Sequence, residues 1–163
     1  MINNNLSTIV GSLLSMEKME KKGGKENIKR VMVFGVFDRL HPGHLDFLRQ
    51  AREHGDELIA VVARDAMVME LKNRMPVHSE GERMRMVGKV PEVTLAVLGD
   101  EVTGSYGVIV AHQPDVICVG YDQQGLADDL QRWIRDGGLS MIKLIILIGY
   151  KADTFHTKLL TSR

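Results

Sequence analysis

The sequence predicts an α/β protein with a single open, parallel, five-stranded sheet and helices on both faces. Five short apolar runs with the length of strands alternate with segments of helical periodicity. Parallel neighbours need a long crossover, and a helix between successive strands supplies it. The 163 residues suit one domain with a sizeable buried core. Together these observations favour a strand-helix-strand rhythm over an all-helical or all-β arrangement.

The order of the elements follows from the apolar runs and the residues that punctuate them. The predicted strands are 31–34, 57–63, 93–98, 116–119 and 142–148. The predicted helices are one that opens at 41–44 and stops at Gly55, then 64–71, 80–87 and 106–111, and a helical face over 126–134 that ends at Gly137 and Gly138. Ser79 and Glu82 have the spacing of a capping box at the third helix. Such a Rossmann-like sheet binds ligands beyond the carboxyl ends of its strands, where the strand order reverses.

Residues 1–28 differ from the rest of the chain and predict an N-terminal extension. Apolar residues recur at helical spacing between 6 and 14, and a run of lysine and glycine at 21–25 follows. We interpret this stretch as an amphipathic helix with a linker, ahead of the α/β domain at 29–163. The helix either packs on that domain or serves a partner or a second copy.

Composition excludes several classes of protein. The 21 basic and 21 acidic residues give a net charge of zero, which argues against a nucleic-acid partner. The single cysteine, Cys118, cannot form an internal disulfide or fill a zinc site, so a reducing cytoplasm is the expected location. No apolar run is long enough to cross a membrane, and Cys118 lies within an apolar strand, which favours a buried thiol.

The loop after the first strand, 35–44, reads Gly-Val-Phe-Asp-Arg-Leu-His-Pro-Gly-His and carries the chemistry. Gly35 lacks a side chain and so lets a ligand approach the backbone. Pro42 fits the first helical turn, where its missing N–H has no partner, and Gly43 keeps that turn bare. Free N–H groups at this helix start predict an anion site, which the helix dipole reinforces.

His41 and His44 are three residues apart, so one helical turn brings both imidazoles to the same side. Two imidazoles at a helix start suit a phosphate whose charge changes during a reaction. The alternatives are a metal site, for which Asp38 could supply a third ligand, and a purely structural pair. Spacing by itself leaves all three open.

The pattern Gly-x-Phe-Asp-x-x-His-x-Gly-His at 35–44 resembles the signature of the cytidylyltransferase-like nucleotidyltransferases. The likeness extends over most of residues 30–160. Segments 55–65, 114–117, 120–123, 149–151 and 155–157 are similar to the archaeal FAD synthase branch in particular. The cytidylyltransferase branch usually carries a Ser/Thr-rich string near the end, and this chain does not.

The resemblance implies a role for individual side chains. His41, His44 and Lys72 would be catalytic, with the histidines holding the triphosphate and Lys72 reaching phosphate as a mobile cation. Asp122 and Tyr150 would contact the nucleoside, and a Mg²⁺ ion would bridge phosphate oxygens, mostly through water. The implied nucleotide-binding set is Gly35, Val36, Phe37, His41, Pro42, Gly43, His44, Arg83, Asp122, Tyr150 and Thr157.

The reaction that the resemblance implies is transfer of AMP from ATP to FMN, giving FAD and pyrophosphate. Transfer from CTP to glycerol 3-phosphate is the alternative within the class, and a nucleotide-binding regulator without turnover is the alternative outside it. A homodimer is compatible with the resemblance. Two positions depart from the family pattern: Val36 replaces the usual Thr, and Thr94 stands where Asp is common, which could weaken a local hydrogen-bond network.

Overall fold

Runs of apolar residues, separated by turn-forming residues and helices, produce the predicted α/β sheet. A computed structural model describes residues 27–137 and 139–150. The strands are β1 (Arg30–Gly35), β2 (Glu57–Val62), β3 (Leu95–Leu98), β4 (Val116–Gly120) and β5 (Lys143–Leu147). The helices are α1 (Pro42–Arg52), α2 (Asp65–Lys72), α3 (Glu80–Gly88), α4 (Gly107–His112) and α5 (Gln124–Asp136). All paired strands are parallel, in the order β3-β2-β1-β4-β5.

Side chains that alternate along the strands build two cores, one on each face of the sheet. Val31 and Val33 of β1 point to the face that α1 and α3 cover, and Met32 points to the face that α4 and α5 cover. Successive side chains of a strand alternate between faces, so a continuous apolar run serves both cores. The prediction of one parallel sheet with helices on both faces is confirmed.

Local capping decides where the elements begin. The Ser79 hydroxyl accepts a hydrogen bond from the Glu82 amide, and the Glu82 carboxylate accepts one from the Ser79 amide, so the predicted capping box is confirmed. Strand β3 begins two residues later than predicted. Ahead of it, the Thr94 hydroxyl accepts from the Leu58 amide at 3.0 Å and the Thr94 amide donates to the Leu58 carbonyl at 2.9 Å. Thr94 therefore maintains a local hydrogen-bond network at the position where it departs from the family pattern.

Several expectations concern the chain outside the sheet. The predicted helix at 6–14 and the linker after it lie outside the described residues, which begin at position 27, and so does Thr157. None of the helices in the described part of the chain is long and apolar enough to span a membrane.

Cys118 in β4 has no exposed surface, and burial raises the pKa of its thiol to about 12, in line with the expectation of a buried small side chain.

Candidate active site

The loop between β1 and α1 holds a buried phenylalanine in an unusual backbone conformation. Phe37 has a φ of 52° and is only 1% exposed, and Arg39 has a φ of 49°. A Cβ at Gly35 would stand 2.7 Å from the Phe37 ring, so the missing side chain makes room for that ring. The space above Gly35 is therefore filled by protein, which differs from the expectation that Gly35 is open to a ligand. Non-glycine residues at positive φ concentrate at functional loops.

His41 caps helix α1 with its own ring. Its Nδ1 accepts hydrogen bonds from the Gly43 amide at 3.1 Å and the His44 amide at 3.4 Å, and Pro42 occupies the first helical position. Because Nδ1 is the acceptor, the proton of the neutral ring lies on Nε2. The prediction of free N–H groups at this helix start is wrong, since His41 has taken two of them. The Nε2–H of His41 remains as a donor at the helix start.

The His44 ring stacks on the His41 ring, with centroids 3.8 Å apart and planes 22° from parallel. Its Nδ1 atom is buried and has no hydrogen-bond partner among the described residues. Burial, helped by the neighbouring His41 and Lys72, lowers the pKa of His44 to about 4, while Asp122 and Asp38 act in the opposite direction. The free protein therefore holds a neutral imidazole at position 44 at pH 7. The stacked His41 ring lies beside His44, and the charges of Lys72 and Asp122 influence the same imidazole.

Asp38 joins this loop to a distant part of the chain. Its carboxylate accepts hydrogen bonds from the Val77 amide at 2.7 Å and the His78 amide at 3.1 Å, and its Oδ1 lies 3.1 Å from Nδ1 of His78. Burial raises the pKa of Asp38, but the bonds from Val77 and His78 outweigh it and hold the pKa at about 2. Both oxygens of the Asp38 carboxylate thus accept hydrogen bonds from the protein.

Arg83 of α3 lies beneath the same loop with no exposed surface. Its Nη1 donates to the Val36 carbonyl at 2.6 Å, and its Nε donates to the His78 carbonyl at 3.0 Å. Its Nη2 donates to the Ala63 carbonyl at 2.8 Å and to the Asp65 carboxylate at 2.6 Å. The sequence predicted a contact between this arginine and nucleotide, whereas the structure surrounds its guanidinium with protein acceptors.

A glutamine that the sequence reasoning missed spans the point where the strand order reverses. The ladder between β1 and β4 ends at Val33 and Cys118. Beyond it, Gln123 Oε1 accepts from the Gly120 amide at 2.7 Å, and Gln123 Nε2 donates to the Phe34 carbonyl at 3.0 Å. Its position directly after Gly-Tyr-Asp, at the start of a helix, was the available signal. The side chain replaces the backbone pairing that the two strands lose as they separate.

The other predicted residues lie at the same edge of the sheet. Asp122 follows β4, and its Oδ1 is 2.8 Å from where a Cβ at Gly120 would stand. Tyr150 follows β5, is 49% exposed, and places its Cβ 3.8 Å from where a Cβ at Gly43 would stand. The carboxyl ends of β1, β4 and β5 therefore meet around the histidine pair, in the crevice that open parallel sheets use for ligands.

Two further observations concern metal binding and a second cleft. Within 27–137 and 139–150, no group of three or more His, Cys, Asp and Glu side chains could hold a metal ion. A separate open cleft of about 640 Å³ lies beside the carboxyl end of β3, between that end and α4. Its lining includes Arg64 and Asp100 but none of the predicted site residues.

This arrangement defines a class of protein: an open parallel α/β sheet whose ligand crevice, where the strand order reverses, contains a stacked pair of histidines. A family model described as cytidylyltransferase-like matches residues 32–146. The chain belongs to the cytidylyltransferase-like family. It is a nucleotidyltransferase enzyme, and it is similar to archaeal proteins named FAD synthase.

Three relatives illustrate the similarity. The FAD synthase of Aciduliprofundum boonei is 43% identical over 121 residues, covering 74% of this chain and 79% of the relative. The FAD synthase of Thermococcus onnurineus is 34% identical over 148 residues, covering 91% and 95%. The solved structure of a lipopolysaccharide core biosynthesis protein from Thermoplasma volcanium aligns with a TM-score of 0.69 at 32% identity, covering 77% of this chain and all of that one.

Proposed function

We propose that the chain transfers AMP from ATP to FMN, giving FAD and pyrophosphate. The observation that carries the proposal is the stacked pair of His41 and His44 at the switch point, with Lys72 and Asp122 around it. The relatives that cover nearly the whole chain bear the name FAD synthase, which favours FMN as the acceptor.

In the reaction, a phosphate oxygen of FMN attacks the α-phosphorus of ATP. The new P–O bond forms as the bond to the bridging oxygen breaks, and pyrophosphate leaves with that electron pair. The attacking phosphate is already ionised at neutral pH, so the step needs no strong general base. The protein contributes position and stabilisation of the charge that develops on the phosphoryl oxygens.

The two histidines supply hydrogen-bond donors to that charge. His41 presents Nε2–H because its Nδ1 is fixed by the cap of α1. His44 is neutral in the free protein, and the negative triphosphate favours its protonated form when it binds. Lys72 adds a cation on the same side. The described residues contain no cluster that could hold a divalent cation, so phosphate oxygens and water would hold it, and it would supply charge neutralisation there.

The remaining predicted residues are assigned by position. The amides of Val36 and Phe37 and the turn at Gly35, Pro42 and Gly43 border the nucleotide, while Asp122 and Tyr150 border its nucleoside end. The proposal also includes Thr157, whose hydroxyl would lie near the β- and γ-phosphates. We assign Arg83 to holding the Val36 carbonyl, because all four of its hydrogen bonds end on protein.

The experiment is pyrophosphate release by the full chain with Mg²⁺, comparing ATP plus FMN with CTP plus glycerol 3-phosphate. FAD seen by chromatography with the first pair supports the proposal. Pyrophosphate release only with CTP and glycerol 3-phosphate would keep the mechanism but replace FMN as the acceptor. Nucleotide binding without pyrophosphate release would identify a regulator without turnover. Light scattering on the same sample tests the predicted homodimer.

A variant tests the histidine assignment. His44→Ala should lower the rate by at least about 10²-fold, the usual effect of removing one preorganised donor. His54→Ala is the matched control, since His54 follows the far end of α1, about 15 Å along the helix axis. A folded His44→Ala protein with near-normal turnover would refute the assignment.

A further inference from the structure

Two independent contacts connect the β1–α1 loop to the segment between α2 and α3, residues 73–79, here called the 73–79 segment. The first is the Asp38 carboxylate, which accepts from the Val77 and His78 amides. The second is Arg83, which donates to the Val36 carbonyl in the loop and to the His78 carbonyl in the segment. Each contact bridges parts of the chain that are far apart in sequence.

Apart from these contacts and the cap that Ser79 forms on α3, little packing holds the 73–79 segment in place. Met75 is 59% exposed and Val77 is 60% exposed, so little apolar burial holds the segment down. Asn73 ends α2 with a φ of 52°, which turns the chain sharply away from the helix. Hydrogen bonds to a charged partner are stronger than those between neutral groups. Here such bonds, rather than apolar packing, hold the segment against the loop.

The segment begins directly after Lys72, the cation of the proposed site. Lys72 lies in the last turn of α2 and is close enough to His44 to lower the pKa of that imidazole. A shift of the 73–79 segment would therefore change the position of the last turn of α2 and of the Lys72 ammonium relative to the histidine pair.

We propose that Asp38 and Arg83 are positioning residues that hold the 73–79 segment against the β1–α1 loop and thereby fix the end of α2 that carries Lys72. Neither residue needs to touch substrate. Asp38 acts through the Val77 and His78 amides, and Arg83 acts through the carbonyls of Val36 and His78. The catalytic consequence rests on the proposed function, whereas the mechanical one does not.

The mechanical test is limited proteolysis of the full chain without substrates. The Arg74–Met75 bond lies in the exposed part of the segment, so trypsin reports its release, and mass spectrometry identifies the cut. Asp38→Asn keeps the size of the side chain but places an amide against an N–H donor. When opening is fast relative to cleavage, the rate tracks the open population, and we expect about a tenfold increase. An unchanged rate would overturn the proposal.

Matched controls separate this effect from general loosening. Asp128→Asn changes an exposed aspartate of α5 whose side chain, among the described residues, bonds to Gln124 of its own helix, and should leave the cleavage rate unchanged. Arg83→Lys keeps the charge but loses the spread of donors, and should also raise cleavage after Arg74, whereas Arg85→Lys, two residues along the same helix and exposed, should not. If Asp128→Asn accelerates cleavage as much as Asp38→Asn, the proposal fails.

The catalytic test is a double-mutant cycle on kcat between Asp38→Asn and Lys72→Met. If Asp38 acts through Lys72, the double variant is no slower than the slower single variant, while a merely structural loss multiplies with the loss at Lys72. Multiplying losses would overturn the link to Lys72. Absence of FAD formation by the unaltered chain would refute the proposed function alone, because the proteolysis result does not depend on turnover.

Discussion

Replacement of Gly43 by alanine should damage the active-site geometry while sparing the fold. A Cβ at this position would stand 2.9 Å from Cε1 and 3.0 Å from Nδ1 of His41. Ordinary carbon contacts lie at about 3.5–4.0 Å, so the ring must move by roughly 0.5–1 Å. The bonds from the Gly43 and His44 amides to Nδ1 already measure 3.1 Å and 3.4 Å, and that displacement breaks them.

The magnitudes separate stability from activity. Loss of the cap costs about 1 kcal/mol, and the gain of alanine over glycine in a helix offsets up to about 1 kcal/mol of it. The free energy of unfolding should therefore change by no more than about 1 kcal/mol. A displacement of about 1 Å in a group that positions phosphate costs about 10²-fold in rate. We expect Gly43→Ala to lose that activity with a nearly normal urea transition.

Gly81→Ala provides the matched control for this experiment. Gly81 is the second residue of α3, as Gly43 is of α1, and nothing lies within 4 Å of the Cβ it would gain. It should retain full activity and gain up to about 1 kcal/mol in stability. The assays are urea unfolding and FAD formation under saturating ATP and FMN. Turnover of Gly43→Ala within about threefold of normal would refute the reasoning, since a 1 Å shift should cost about 10²-fold.

Two further predictions concern stability. The pKa of His44 is lowered to about 4 in the folded protein, so the unfolded state binds more protons between that value and the ordinary 6.5. Stability from this group is therefore complete above pH 6.5 and falls as the pH drops toward 4, by about 1–2 kcal/mol after allowance for partial exposure. Urea unfolding at pH 7 and pH 4.5 checks this, because His44→Asn should lack that part of the pH dependence. Thr94→Val keeps the side-chain shape but leaves the Leu58 amide without its acceptor; a loss of about 1–2 kcal/mol is expected, and an unchanged melting temperature would contradict it.

The arrangement of strands and helices was accessible to the sequence because it depends on local pattern. Apolar runs of strand length fix the number of strands, and the capping box at Ser79 fixes the start of α3. The start of β3 was not accessible in the same way. Val93 and Thr94 have strand-like composition, but the Thr94 hydroxyl replaces a ladder bond to Leu58, a contact between residues 36 apart.

The predictability of the site residues likewise depends on whether their contacts are local in the sequence. His41 and His44 could be predicted from a short motif because both lie within one helical turn. The use of His41 as a cap could not, since it depends on the ring turning back toward the Gly43 amide. The prediction that Arg83 contacts nucleotide came from the family resemblance, which gives its place on a helix but not its burial, and its acceptor at Val36 lies 47 residues away.

The lone thiol at the centre of the sheet makes the protein its own reporter of global opening. Cys118 lies between β1 and β5, paired with Val33 on one side and Ile145 on the other. A thiol-specific dye can reach it only after the central strands separate, so labelling kinetics measure the slowest opening of the fold. A second cysteine placed at an exposed position such as Met75 would react against almost no background. Local motion near the histidines and separation of the strands could thus be timed in a single sample.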